Sequence, residues 1–403
     1  MQLKNTMLAL LAGTALAGAQ PAFAASGTVP ALNHVFLIMM ENHGYQQIMG
    51  NPYAPFINQE AAAAHLATNY FAVGHPSLTN YLEVIGGSNF GVQDDNSPDW
   101  HNASCTPNIA SGIDNDENNG NPICPIAGTG TDAATPAIDY TNETSGPPGT
   151  LNVDGVVSYG AAVTNGAMIG DQLVAAGKSW KSYQESLPLG SADLVNNANG
   201  FFSNLTNFTA DEQAQGENSS QVVALYAVKH NPFVYFSSVQ NGGLGNITGF
   251  ESLYGDLASG HVPSFSFIAP NQCNDMHGKS GAGVFCNYDP NDNGTQVGLN
   301  PALIAQGDQT VQKLVAAIKA SPVWTKGKNA IVIVWDENDY SVAPIKNQVV
   351  TIVDTNYSHR SLTSNRFYTH FNLLNTLETA FGLPCLNHAC DAESYVMSDL
   401  FGN

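Results

Sequence analysis

Residues His34–Met40 read HVFLIMM and pass directly into Glu41-Asn42, and that junction governs how the rest of the chain is read. An apolar run of strand length, with no alternating polar positions, is what a strand buried on both faces of a parallel sheet requires. A second run, Ala330–Trp335 (AIVIVW), passes just as directly into Asp336-Glu337. Charges placed straight after a buried strand are costly unless something compensates them. Three of these four residues are carboxylates, and all four offer hard oxygen ligands suited to Mg²⁺, Mn²⁺ or Ca²⁺, or to zinc in a mixed site. Either pair alone is as readily loop polarity, or in Asn42 a helix cap. The two together favour a functional role for Glu41, Asn42, Asp336 and Glu337, with a divalent metal ion among the ligands their oxygens suit.

Working outward, further apolar runs stand at Phe233–Val239, Phe265–Ala269 and Val349–Val353. Between them the spacing predicts helices: one near Ala61–Ala64, and one over Asn80–Ile85 that stops at Gly86-Gly87. Another is capped near Asp171, ended by Gly177 and followed by a short strand. Val311, Leu314, Val315 and Ile318 recur at helical spacing until Pro322. The last helix, Leu373–Phe381, is terminated by Gly382 and Pro384. This alternation predicts an α/β fold, a mainly parallel central sheet with helices on both faces. Ligands in such folds gather beyond the carboxyl ends of the strands. Residues 94–158, rich in Asn, Gly, Pro, Asp and Thr, read as a long irregular surface insertion within a single domain spanning 25–403.

The first 24 residues read as a signal peptide: Lys4, an apolar run from Met7 to Ala17, then Ala22-Phe23-Ala24. The expected location is periplasmic or secreted, without a stable membrane anchor, since no later stretch is long and apolar enough to span a bilayer. Six cysteines in an exported chain favour disulfides, and the sequential pairing Cys105–Cys124, Cys273–Cys286 and Cys385–Cys390 needs only short loops. The net charge of −21, with only 12 Lys plus Arg, excludes a nucleic-acid footprint. It also repels anionic substrates, so a phosphate ester would need positive charge supplied at the site, and a metal cation is the economical source.

Between the acidic pairs lies Gly74-His75-Pro76-Ser77-Leu78-Thr79-Asn80. A hydroxyl at a turn that opens a helix has backbone N–H groups nearby for an anion, so Ser77 or Thr79 is a candidate nucleophile and His75 a substrate contact. The simpler reading of Ser77 is an N-cap. After the strand Phe265–Ala269, Asp275 and His277 sit two residues apart beside Cys273, a pattern fit for metal or phosphate. His370 opens the last helix. His34, His65, His230, His261 and His388 read as surface or satisfied core residues, and His101 and His359 carry no assignment.

The blocks ENHGY, HPSLTNYLEVIGG, SWKSYQESLP, HNPFVYFSSV, IAPNQCNDMHG, VIVWDEND and THFNLLNTLETAFGLP occur in that order. Together they resemble the bacterial phosphoesterase family of acid phosphatases and phospholipases C, within the alkaline-phosphatase-like superfamily. The resemblance implies Ser77 as the nucleophile rather than Thr79, Asn80 as a donor to a phosphoryl oxygen, and the two acidic pairs as metal ligands alongside Ser77. It places Asp275, His277 and His370 at phosphate or a second metal, with His277 or His370 protonated to assist the leaving oxygen. Two departures are visible: Thr79 stands where a proline is usual, and His43-Gly44 where many members carry serine or arginine and a larger residue. The expected function is an acid phosphatase acting on phosphate monoesters through a phosphoserine. A phospholipase C would need an apolar lip, for which Phe71, Phe90, Trp100, Phe201 and Phe202 are candidates. An exported binding protein is the alternative outside enzymes.

Overall fold

The computed structural model describes residues 28–99, 122–133, 150–151, 157–187, 225–291, 293–338, 346–358 and 360–402. The 1–24 leader, most of the 94–158 insertion, His101, His359, Trp100, Phe201 and Phe202 lie outside the described residues.

Eight strands form the central sheet: β1 His34–Met40, β2 His65–Ala67, β3 Trp180–Gln184, β4 Ile247–Gly249, β5 Phe265–Ala269, β6 Asn329–Trp335, β7 Thr351–Thr355 and β8 Leu362–Ser364. Their order is β8-β2-β7-β6-β1-β5-β3-β4. Only β7 runs against the rest, pairing antiparallel with both β6 and β2. Alternate residues of a strand face opposite sides, yet every residue of β5 and β6 is buried and β1 is buried throughout beyond His34. Both faces of the sheet are therefore covered, which is why these strands read as unbroken apolar runs.

The longer helices are α1 Pro55–Ala63, α2 Ser77–Gly86, α3 Ile169–Ala175, α4 Phe250–Ser259, α5 Pro301–Ala320 and α6 His370–Phe381. They pack in two groups, α2 with α6 and α3, and α5 with α1 and α4. α5 starts where the Asn300 side chain accepts from the Ala302 and Leu303 N–H groups. α2 and α6 end on Gly87 and Gly382 with φ near +70°, the left-handed cap that glycine adopts without a Cβ clash.

Two expectations fail. Phe233–Val239 is not a strand: Pro232–Tyr235 is a 3₁₀ turn and Val239–Gly243 a π-turn. Phe233, Val234, Tyr235 and Phe236 are all buried, so the burial that signalled a strand is real, but Pro232 opens a tight turn in its place. Phe71 and Phe90 are buried core residues and form no lip.

Register aims the chemistry. Met40 of β1 lies opposite Trp335 of β6, so Glu41 and Asp336 leave the sheet side by side, and the Asp336 N–H donates to the Met40 carbonyl at 3.0 Å. On the other flank of β1, the Glu41 N–H donates to the Asp275 carbonyl at 2.9 Å, just beyond β5.

Candidate active site

Three chain segments meet above these strand ends. Asn42 takes φ of 53°, a left-handed conformation that asparagine tolerates better than most residues, and its N–H donates to Asp336 Oδ1 at 3.1 Å. The turn is thereby tied to the second acidic pair through its backbone. Ser77, 1 % exposed, opens α2. Its hydroxyl lies 2.9 Å from Glu337 Oε1 and 3.2 Å from Glu41 Oε2. Thr79 points elsewhere, donating to the Pro76 carbonyl at 2.8 Å. His75 Nδ1 donates to Glu337 Oε2 at 2.7 Å.

The sequence suggests free backbone donors at this turn, and the structure shows two of them engaged. The Leu78 N–H donates to Asp95 Oδ1 at 3.0 Å and the Thr79 N–H to the Pro76 carbonyl. Asn80 is a brace: its amide donates to the Gly74 carbonyl and to Glu337 Oε2, and its oxygen accepts from the Val73 and Gly74 N–H groups. With both amide hydrogens engaged, Asn80 fixes the loop that presents Ser77.

On the far side of Glu41 stands His230, one of the histidines that read as bland. Its ring stacks on Tyr81, with centroids 5.3 Å apart. Nε2 lies 3.0 Å from Glu41 Oε1 and Nδ1 3.2 Å from Asp275 Oδ2. Close as they are, neither approach has hydrogen-bond geometry. Glu41 Oε1, both His230 nitrogens, Asp275 Oδ2 and Asp336 Oδ2 are buried without a formed hydrogen bond. His277 Nδ1 donates to the Gly278 carbonyl at 2.8 Å, which leaves the Nε2 lone pair free to bind; Glu41, His230 and His277 each bring a ligand atom within 4.8 Å of the others. The Asp275–His277 turn passes through Met276 at φ of 82°, strained for a non-glycine residue, and is stapled by Cys273–Cys286.

Charge balance says what belongs here. Burial pushes the carboxyl groups of Glu41, Asp336 and Asp275 well above their ordinary range, and repulsion from Asp336, Glu337 and Glu41 respectively adds to it. Burial lowers His230 well below its usual value and His277 to about 3, with Lys229 pushing both the same way. Neutral imidazoles and crowded carboxylates with orphaned oxygens are the donor set of a divalent cation, and the residues present fit one. His370 is held at both ring nitrogens: its Nε2 donates to the Asp336 carbonyl at 2.6 Å and its Nδ1 accepts from Tyr70 Oη at 3.0 Å, while burial lowers it to about 4. It supports the backbone of the acidic pair from behind.

One cation is in place. Lys229 Nζ lies 2.8 Å from Asp95 Oδ2 and 3.5 Å from Ser77 Oγ. Burial would lower its pKa, but Asp95, Glu41 and Glu337 more than offset this and raise it, so it stays charged. Sequence reading missed Lys229 and His230 because both precede an apolar run, on a short turn Val228–His230, whereas the acidic pairs follow one. Three polar residues in a row, Lys229-His230-Asn231, entering FVYF were the available signal. Cys385–Cys390 also forms. Cys124 is disulfide-bonded, and Cys105, its expected partner, lies outside the described residues. Among the described residues no cysteine is free, and no helix is long and apolar enough to cross a membrane.

The phosphoesterase family profile matches residues 51–284 and 296–384. The chain is 25% identical over 380 residues to a phosphatidylinositol-3-phosphatase of Mycobacterium tuberculosis, covering 94% of this chain and 86% of that protein. It is 25% identical to a probable acid phosphatase of Kluyveromyces lactis and 24% identical to an acid phosphatase of Aspergillus fumigatus. Those matches cover 61% of this chain but only 39% and 37% of the two fungal proteins. Among solved structures, a protein in the alkaline phosphatase superfamily from Vibrio parahaemolyticus aligns over 92% of this chain and 74% of its own, with 11% identity and a TM-score of 0.43. At that score the fold assignment rests on the sheet topology above. By the extent of the profile match, the chain belongs to the phosphoesterase family and is a phosphoric ester hydrolase.

Proposed function

We propose that this chain is an exported, metal-dependent acid phosphatase that hydrolyses phosphate monoesters through a phosphoserine at Ser77. The observation that carries the reading is the buried Ser77 hydroxyl between Glu337 and Glu41, with Lys229 at 3.5 Å. Glu41, Asp336, Glu337, His230 and His277 are the residues that would hold the cation, with Asp275 beside them. When bound, that cation supplies the charge that offsets these carboxylates and stabilises a phosphoryl group. The remaining work falls to the chain itself. Ser77 Oγ attacks phosphorus as its proton passes along the 2.9 Å hydrogen bond to Glu337 Oε1; the new Oγ–P bond forms as the bond to the leaving oxygen breaks, and that oxygen takes its proton from solvent. Water then attacks phosphorus and loses a proton to solvent as the Oγ–P bond breaks; phosphate leaves, and Ser77 Oγ takes back the proton held on Glu337. Asn80 and His75 hold Glu337 in position for this exchange.

The test is covalent. Two in-line displacements give net retention at phosphorus, whereas direct attack by water gives inversion. A chiral, isotopically labelled monoester turned over with an alcohol acceptor should show retention. Ser77→Ala should abolish turnover, by roughly 10⁴-fold or more, and Thr79→Ala should keep most of it. Inversion, or the opposite ranking of the two variants, overturns the phosphoserine.

A phospholipase C-type diesterase is the second reading, and one observation favours it. Val284 and Phe285 are exposed on the loop stapled by Cys273–Cys286, with exposed Tyr288 just beyond it, and the Tyr288 ring meets His277 edge-on at 5.9 Å. An apolar leaving group would find a surface there. Comparing nitrophenyl phosphate with nitrophenylphosphorylcholine separates the two readings.

A further inference from the structure

Lys229 and Asp95 belong to neither acidic pair. Asp95 makes two contacts at once: Oδ1 accepts from the Leu78 N–H in the first turn of the Ser77 helix, and Oδ2 accepts from Lys229 Nζ. The carboxylate thus fixes the ammonium relative to the nucleophile. The two side chains keep 17 % and 29 % exposure, against 1 % for Ser77, so the pair is the more solvent-exposed part of the site. An ammonium has three donors. One is spent on Asp95, and Nζ lies 3.5 Å from the attacking oxygen.

We propose that Lys229, positioned by Asp95, grips the third unesterified phosphoryl oxygen, which a phosphate monoester has and a diester lacks, and so selects monoesters over diesters at this site. The inference rests on the phosphomonoesterase reading and adds the residue that sets its preference. Phosphorus attacked by Ser77 Oγ carries its other oxygens about one bond further on, within hydrogen-bond reach, about 2.8–3.0 Å, of a cation placed at this distance from Oγ. In a monoester the oxygens apart from the leaving one are all unesterified and share two negative charges. In a diester only two are unesterified and the total charge is one, so once those two face the cation and the helix turn, the side facing Lys229 meets an ester oxygen or its organic substituent. A fixed cation gains little from that and obstructs it. The position also answers the chain's own charge: in a protein of net charge −21 with 12 Lys plus Arg, a dianion needs a local counter-charge beyond a cation already shared among carboxylates.

The experiment compares the metal-loaded wild type with Lys229→Met on nitrophenyl phosphate and bis(nitrophenyl) phosphate, alongside inorganic phosphate binding by calorimetry and metal content. Kcat/KM for the monoester should fall about 100-fold, the scale for one lost oxyanion donor. The diester should change by less than about three-fold, phosphate should bind at least ten-fold more weakly, and metal content should be unchanged. Equal losses on both esters, or an unaltered ratio, overturn the proposal. Lys229→Met leaves Asp95 without its partner, so the double variant Lys229→Met/Asp95→Asn is measured in parallel and faces the same two outcomes. Lys229→Arg keeps the charge and should retain most of the preference; loss as large as in the methionine variant counts against the clamp. A wild type inactive on the monoester would sink the phosphatase reading, while the phosphate-binding arm would still decide the role of Lys229.

Discussion

Two buried histidines, each flanked by two carboxylates, serve opposite ends in this molecule. His388 Nε2 lies 2.9 Å from Asp132 Oδ2 and Nδ1 2.7 Å from Asp391 Oδ2, and both are formed hydrogen bonds. Ser88 also donates to Asp132 at 3.2 Å. His230 has the same company at 3.0 and 3.2 Å, yet neither of its nitrogens achieves a hydrogen bond, and the oxygens facing it are orphaned as well. Their electrostatics diverge accordingly. Burial pulls both histidines down, but hydrogen bonds with Asp132 and Asp391 lift His388 above its ordinary value, while nothing rescues His230. A satisfied cluster is finished by folding; an unsatisfied one of the same composition is finished by a ligand.

Exchanging the two histidines breaks the comparison most directly. His230→Ala should lose metal, measured by elemental analysis of the purified protein, and with it activity by about 100-fold or more. His388→Ala should keep metal and most activity but lose about 1–3 kcal/mol of stability in denaturant unfolding, the cost of stranding buried Asp132. If His388→Ala released metal as readily, the distinction drawn from hydrogen-bond satisfaction would fail.

A pH series sharpens it. A group whose folded pKa lies above its unfolded value of 6.5 contributes fully below 6.5, and that contribution drains away as pH rises through the folded value. The stability gap between wild type and His388→Gln should therefore be widest near about pH 6 and narrow toward about pH 9. A gap that widened with pH would contradict the raised pKa.

The smallest effect is expected at Gly307. A Cβ there would clash with the Met276 side chain, and Met276 already sits at φ of 82° between Asp275 and His277. Gly307→Ala should cost about 1–3 kcal/mol by overpacking and weaken metal retention several-fold in a chelator titration, through displacement of that turn alone.

The comparison also shows what the sequence can disclose. Strands ending in Glu41 and Asp336 were legible because a fully buried strand must be apolar throughout, so its first charge marks where the sheet stops. The helices of 301–320 and 370–381 were legible from spacing and from their stops at Pro322 and Gly382. His230 and His388 were indistinguishable, since local sequence carries no record of whether a side chain's nitrogens will meet their acceptors in line. Asp95 was hidden for a related reason: it touches Leu78 and Lys229, 17 and 134 residues away in the chain, and only tertiary packing joins them. The 233–239 segment misled because burial and strand are confounded in a short apolar run.

The pairing of Met40 with Trp335 carries a last consequence, for insertions and deletions rather than substitutions. Side chains alternate faces with every residue, so one residue added to or removed from either strand would turn Glu41 or Asp336 away from its neighbour without changing the identity of any ligand. Across 34–42 and 329–337, segment length is then as tightly constrained as residue type. Variation that the fold could absorb in a loop would here be silent in composition and ruinous in geometry.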